Sequence, residues 1–184
     1  MSAAELTRQA IVSKTKQLTA EKSFQKTSVI DIASACGINR NTFYYYFSDK
    51  YAVIQYIFDA ELMPVMEPLF TASLADNVTT LCRRMKEEKA FYRAILQDSS
   101  YHCMRQLLVQ YYSKFLMEMA SQRFQQHQIE GRHREIIARF YAHGTVGMIC
   151  DWADRDMKMD SSFVTNIIEL SARENFFVQS SKTL

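Results

Sequence analysis

Backbone punctuation is the feature that most restricts this chain. Only Gly37, Gly131, Gly144, Gly147, Pro64 and Pro68 interrupt its 184 residues. Sheets and barrels must turn back roughly every 8–12 residues, and glycine and proline supply many of those turns. A chain with so few of them has to run in long helices joined by short loops. The hydrophobic pattern agrees, since neither strand-like alternation nor an internal repeat runs through the sequence. The expected fold class is all-α.

Capping residues divide the chain. Ser2 and Glu5 form an S-x-x-E pair that opens a helix from Ala3 to about Glu21, with Leu6, Ala10, Ile11 and Leu18 on its apolar side. Thr27 or Ser28 caps a short second helix through Val29, Ile32 and Ala33, with Asp31 in its first turn and Gly37 as its stop. Ile38 plugs the core, and Asn39 caps a third helix from Arg40 to about Tyr46. Ser48 caps a fourth through Tyr51, Val53, Ile54, Ile57 and Phe58, and Pro64 and Pro68 kink or interrupt the chain beyond it. Further helices are predicted from Asp76 or Asn77 through Met85, near Ala90–Leu96, over Tyr101–Gln126 after Ser99 and Ser100, and over His133–Asp154 after a break at Gly131. A last one spans Ser161 or Ser162 to about Val178. The expected organisation is a three-helix head, residues 1–48, on a helical-bundle body, residues 49–184, with no flexible linker between them.

The net charge of +2 is too small to argue for a nucleic-acid partner, but its distribution is informative. Residues 1–50 hold seven Lys or Arg against four acids, a net +3, and the remainder carries −1. A basic head on a neutral body suits a protein that meets phosphate with one end. Cys36, Cys82, Cys103 and Cys150 have neither C-x-x-C nor zinc-finger spacing and read as free thiols in a reducing compartment. His102, His127, His133 and His143 share no helical face at ligand spacing, so neither a metal nor another cofactor is expected. Met1–Ala10 lacks the apolar stretch of a signal peptide, and no run of 18 apolar residues exists, so the expectation is a cytoplasmic protein with no membrane segment. An enzyme is not indicated: the sequence offers no nucleophile–base pair, no glycine-rich phosphate loop and no pair of E-x-x-H motifs on facing helices.

The informative segment is Thr27–Lys50. A helix, a glycine turn and a second helix form the arrangement that fits a helix into the DNA major groove. At 100° per residue, Phe43 and Phe47 of the third helix point together into the core, while Asn41, Thr42 and Tyr45 point away. Arg40 and Tyr44 flank one side and Tyr46 the other. Core packing alone explains an aromatic run poorly when the run is capped, preceded by a glycine turn and followed by Ser48-Asp49-Lys50.

Thr27, Ser28, Asp31, Ile32, Ala33, Ala35, Gly37, Ile38, Thr42, Phe43, Tyr44, Phe47 and Lys50 together resemble the N-terminal helix-turn-helix of the TetR family, over about 45 residues. The resemblance implies a transcription regulator that binds a double-stranded DNA operator as a homodimer. Base and backbone contacts are implied for Arg40, Asn41, Thr42, Tyr44 and Tyr45, and phosphate contacts for Thr27, Ser28, Tyr46 and Lys50. Lys50 would also sit at a helix N-terminus, which attracts phosphate. Tyr46 stands where the family usually has His, and Lys14 and Ser23 stand where Ala and Gly are frequent.

The body gives looser signals. Phe140–Gly147 followed by Trp152 resembles the C-terminal body of TetR-like regulators of Firmicutes, some of which regulate dihydroxyacetone kinase genes, sometimes as activators. Gly144 and Gly147 each cost a helix about 1 kcal/mol relative to Ala, so close approach of another helix is expected there. That helix belongs either to a partner subunit or to the same chain. On the first reading Phe140, Gly144, Gly147 and Trp152 join Phe163, Ile167, Leu170 and Phe177 in a two-fold dimer surface. Tyr92, His102, Met104, Tyr111, Phe115 and Met119 either line a pocket for a small-molecule effector or are plain core. The alternative to an effector is a body that contacts a protein co-regulator.

Overall fold

The structure, a computed structural model, describes residues 2–67, 73–98, 103–123 and 131–158, together with Asn166. His102, Phe163, Ile167, Leu170 and Phe177, Pro68 and the predicted last helix as a continuous element lie outside the described residues. The described elements are α1 (Ala3–Lys22), α2 (Val29–Ala35), α3 (Arg40–Tyr46), α4 (Lys50–Ile57), a π-helical turn (Phe58–Leu62), α5 (Met63–Met66), α6 (Leu74–Glu87), α7 (Lys89–Gln97), α8 (Cys103–Arg123) and α9 (Gly131–Asp154), with no strand among them.

Local chemistry accounts for most of the boundaries. The Ser2 hydroxyl accepts the Glu5 N–H at 3.2 Å and starts α1. A reciprocal capping box starts α2: the Ser28 hydroxyl accepts the Asp31 N–H, and the Asp31 carboxylate accepts the Ser28 N–H. Gly37, at φ 66°, closes α2. There the Gly37 N–H reaches the Ser34 carbonyl and the Ile38 N–H reaches that of Ala33, a paired arrangement that a left-handed residue makes possible. The cap of α4 is Asp49, whose carboxylate accepts the Ala52 N–H at 2.8 Å, and not Ser48 as expected. Ser73 caps α6 and starts it at Leu74, ahead of the expected Asp76.

Pro64 falls just past the π turn, where the Met63 N–H bonds back to the Phe58 carbonyl. Proline has no N–H and its ring collides with the carbonyl four residues earlier, so a widened turn beside it lets the helix continue. The chain therefore runs helically from Lys50 through Met66, from the head into the body.

One hydrophobic core extends through both. In the head it holds Ile11, Phe24, Ile32, Phe43 and Phe47; through α4 and the π turn, Val53, Ile54, Ile57 and Leu62; in the body, Leu81, Tyr92, Leu108, Phe115, Ile149 and Trp152. The inward face of α1 is Ile11, Val12, Thr15 and Thr19. Leu6 and Ala10, expected on that face, are exposed, because the first turns of α1 run past the edge of the core. α1 packs on α7 and α4, and α8 packs on α9 along most of its length.

Candidate nucleic-acid interface

α3 is held from beneath and left open above. Phe43 is fully buried and Phe47 nearly so, their rings 6.1 Å apart. The α3 start is fixed by Asn39, whose side-chain Oδ1 accepts both the Thr42 N–H and the Thr42 hydroxyl. Opposite this anchor Asn41 is exposed and Tyr45 is 81% exposed. Arg40 and Tyr44 form one unit: the guanidinium donates to the tyrosine hydroxyl at 2.9 Å and lies 5.5 Å from the ring centroid. Tyr46 is half-buried against Tyr45 at 5.1 Å, with the Arg8 guanidinium 5.9 Å from its ring. The same guanidinium lies 5.8 Å from Tyr56, so Arg8 ties α1 to both α3 and α4. Nothing local in the sequence around Arg8 announces that role.

Three of the expected phosphate contacts are committed inside the head. Thr27 is 1% exposed, and its hydroxyl donates to the Ser23 carbonyl at 2.9 Å. Ser28 is exposed, but its hydroxyl proton and its N–H both go to Asp31. The Lys50 ammonium donates to the carbonyls of Phe24 at 2.8 Å, Thr27 at 2.9 Å and Gln25 at 3.4 Å, and lies 4.5 Å from the Phe24 ring. Burial lowers the Lys50 pKa, while the nearby Asp98 and Cys103 of the body oppose that shift. Asp31 is held well below the usual carboxylate range by the Ser28 hydroxyl and N–H and by Lys22, whose ammonium is 3.0 Å away.

Head and body meet at an ion network. The Lys16 ammonium of α1 contacts Glu61 of the π turn at 2.6 Å and Glu88 at 2.8 Å. Arg84 of α6 binds the same two carboxylates, and the Tyr92 hydroxyl donates to Glu61. Burial tends to raise the Glu88 pKa, but hydrogen bonds from Lys16 and Arg84 leave it lowered overall. A groove of about 450 Å³ opens beside this network, between α1 and the π turn.

The residues expected to line an effector pocket lie elsewhere. Tyr92, Met104, Tyr111 and Phe115 are buried in the common core, and Met119 packs against it. Tyr111 and Asn77 are both committed to the Met66 carbonyl, at 3.0 and 3.1 Å. None of these side chains lines a second groove, of about 500 Å³, between α8 and α9. Its rim carries Arg105, Arg139 and His143, and Val109, Val146, Gly147 and Cys150 also line it. The spacing of Arg139 and His143 marks one α9 face, but Arg105 comes from another helix.

α9 bears an exposed apolar stripe. Phe140 is 73% exposed, Ile136 58% and Ile137 40%, and Gly144 and Gly147 continue the row. A Cβ built on either glycine meets no atom of the described residues within 4 Å. Trp152, expected on this stripe, is 2% exposed and belongs to the core, because its position turns it to the other side of α9. Among the described residues no group of three or more His, Cys, Asp or Glu is placed to hold a metal ion, and no helix is long and apolar enough to cross a membrane.

Residues 11–57 match the family described as bacterial regulatory proteins of the tetR family, and residues 72–173 match its transcriptional regulator C-terminal region. The chain belongs to the TetR family of transcriptional regulators. It is a DNA-binding regulator and not an enzyme. Three solved structures show how far the TetR fold extends over it. The dihydroxyacetone kinase operon activator DhaS is 18% identical, with a TM-score of 0.63 over 92% of this chain and 97% of that one. NalD, the secondary repressor of a multidrug efflux pump in Pseudomonas aeruginosa, is 18% identical, with a TM-score of 0.65 over 96% and 99%. The Thermus thermophilus repressor FadR, solved with lauroyl-CoA, is 18% identical, with a TM-score of 0.63 over 96% and 98%. No curated protein matches by sequence. Within the matched N-terminal region α2 and α3 form the helix-turn-helix.

Proposed function

We propose that this regulator is a repressor that binds a palindromic operator as a homodimer and reads it with Arg40, Asn41, Thr42, Tyr44 and Tyr45. The observation that carries the reading is the two-sidedness of α3. Phe43 and Phe47 fix the helix from below, while Asn41 and Tyr45 stand in solvent with no hydrogen bond among the described residues. An Asn amide is suited to the N6/N7 edge of adenine, and an Arg to guanine or phosphate. The α9 stripe from Ile136 to Gly147 supports the dimer, because a two-fold contact buries the same patch twice. Selection from a random duplex pool tests the whole reading. A shared palindrome is expected, with Asn41→Ala and Tyr45→Ala each relaxing preference at one base step by about 1–3 kcal/mol. A pool without a common site would refute it.

A small-molecule effector is favoured over a protein co-regulator by the groove between α8 and α9. Its volume suits a small ligand. Arg105, Arg139 and His143 have no carboxylate partner among the described residues, so the class that fits is an anion with an apolar portion. The T. thermophilus repressor was solved with lauroyl-CoA, a molecule of that class. Titration with lauroyl-CoA should lower operator affinity in the wild type and not in an Arg139→Glu variant. No effect on either would favour the co-regulator.

A further inference from the structure

We propose that Lys50 is a positioning residue that sets the orientation of the helix-turn-helix from inside the head, and is not a phosphate contact. The proposal rests on the reading of α3 as the DNA-reading helix. An ammonium has three N–H groups. Here they point to three carbonyls of one segment, those of Phe24, Gln25 and Thr27. The aromatic faces of Phe24 and Tyr51 enclose the same charge, at 4.5 and 5.5 Å from the ring centroids. A phosphate oxygen would have to displace these partners to be bound.

The location of the clamp gives it consequence. Lys50 is the first residue of α4, and the carbonyls belong to the turn between α1 and α2. The clamp therefore closes a loop of chain that contains all of α2 and α3. α2 starts directly after the clamped turn, and α3 is indexed to α2 through the hydrogen bonds around Gly37. Moving the turn relative to α4 moves the helix that meets the bases. The Asp98 carboxylate and the Cys103 thiol near Lys50 come from the body, so the clamp stands at the junction of the two parts.

Lys50→Gln and Lys50→Arg in the full-length protein separate the roles. Each is titrated with the selected operator and with a scrambled duplex across a salt series, and melted without DNA. The clamp predicts that Lys50→Gln loses about tenfold or more in operator affinity, that the operator-to-scrambled ratio falls in step, and that the slope of log affinity against log salt is unchanged. It also predicts that Lys50→Arg is impaired, since a planar fork does not direct three donors to three carbonyls. A phosphate contact predicts the reverse: a slope smaller by about one per head, a preserved ratio, and near-normal binding by Lys50→Arg, since Arg holds phosphate well. That pattern would overturn the proposal. So would variants that melt lower while their folded fraction binds and discriminates as wild type does. Should Lys50→Gln fail to fold, Lys50→Arg decides. Should the wild type itself favour no sequence, the operator reading fails, and the salt slope still decides between clamp and phosphate contact.

Discussion

Ser23 shows how one residue can carry strain at a junction. It ends α1 with φ 75° and ψ 153°, a conformation that only glycine adopts without cost. Its carbonyl accepts the Thr27 hydroxyl, so the segment leading to α2 depends on that unusual geometry. Ser23→Gly should stabilise the protein by about 1 kcal/mol, read as a higher midpoint in urea; a lower midpoint would show that the serine side chain contributes more than the strain costs. Asp31 makes a second residue-scale prediction. Its folded pKa lies below the ordinary 3.8 because the carboxylate accepts hydrogen bonds from Ser28 and faces Lys22. Its contribution is therefore present above pH 3.8 and is lost as pH falls from there toward the folded value. Asp31→Asn should be less stable than wild type at neutral pH, and the gap should narrow in acid. The thiols respond differently: burial pushes Cys82 up to about 12 and Cys103 and Cys150 up to about 11, which leaves them poor nucleophiles at neutral pH.

Among elements, the π turn has the most to explain. It allows the helix to pass Pro64, and it carries Glu61 into the network with Lys16, Arg84 and Tyr92. These side chains are only 12–21% exposed, apart from Tyr92, which is buried. Removing one partner from such a network leaves the others with uncompensated charge. Glu61→Gln is expected to cost roughly 2 kcal/mol in denaturant unfolding, and the loss should shrink in a Lys16→Met background. Additive losses would mean that Lys16 and Glu61 do not act together. α9 is the other element with a clear consequence. The glycines at 144 and 147 have open space around them among the described residues. Gly147→Leu should therefore fold, with a melting temperature near wild type.

At the scale of the whole molecule, the same substitution tests assembly. Wild type is expected to sediment as a dimer at micromolar concentration, and Gly147→Leu and Phe140→Glu as folded monomers. Monomeric wild type would leave the stripe without a role. Loss of the dimer is expected to weaken DNA binding as well, since two heads joined rigidly would read two half-sites, and each phosphate contact makes binding steeper in salt. The continuous helix from Lys50 to Met66 and the core that runs from Phe43 to Trp152 give a mechanical path between head and body.

Sequence alone determined the helical class, the helix-turn-helix, the stop at Gly37 and the two faces of α3. Each of these depends on signals three or four residues apart: a cap and its third residue, a glycine after a last turn, a buried pair such as Phe43 and Phe47. Tertiary structure alone decided what the charged and polar side chains do. Lys50 bonds residues 23 and 26 positions away, and Lys16 reaches partners 45 and 72 positions away. Thr27 and Trp152 carry local patterns that suit a surface as well as a core, and only packing buried them. The basic groove between α8 and α9 is likewise absent from any one stretch of sequence. Arg105 meets Arg139 and His143 there because two helices pack side by side, and no spacing along either helix records that neighbour.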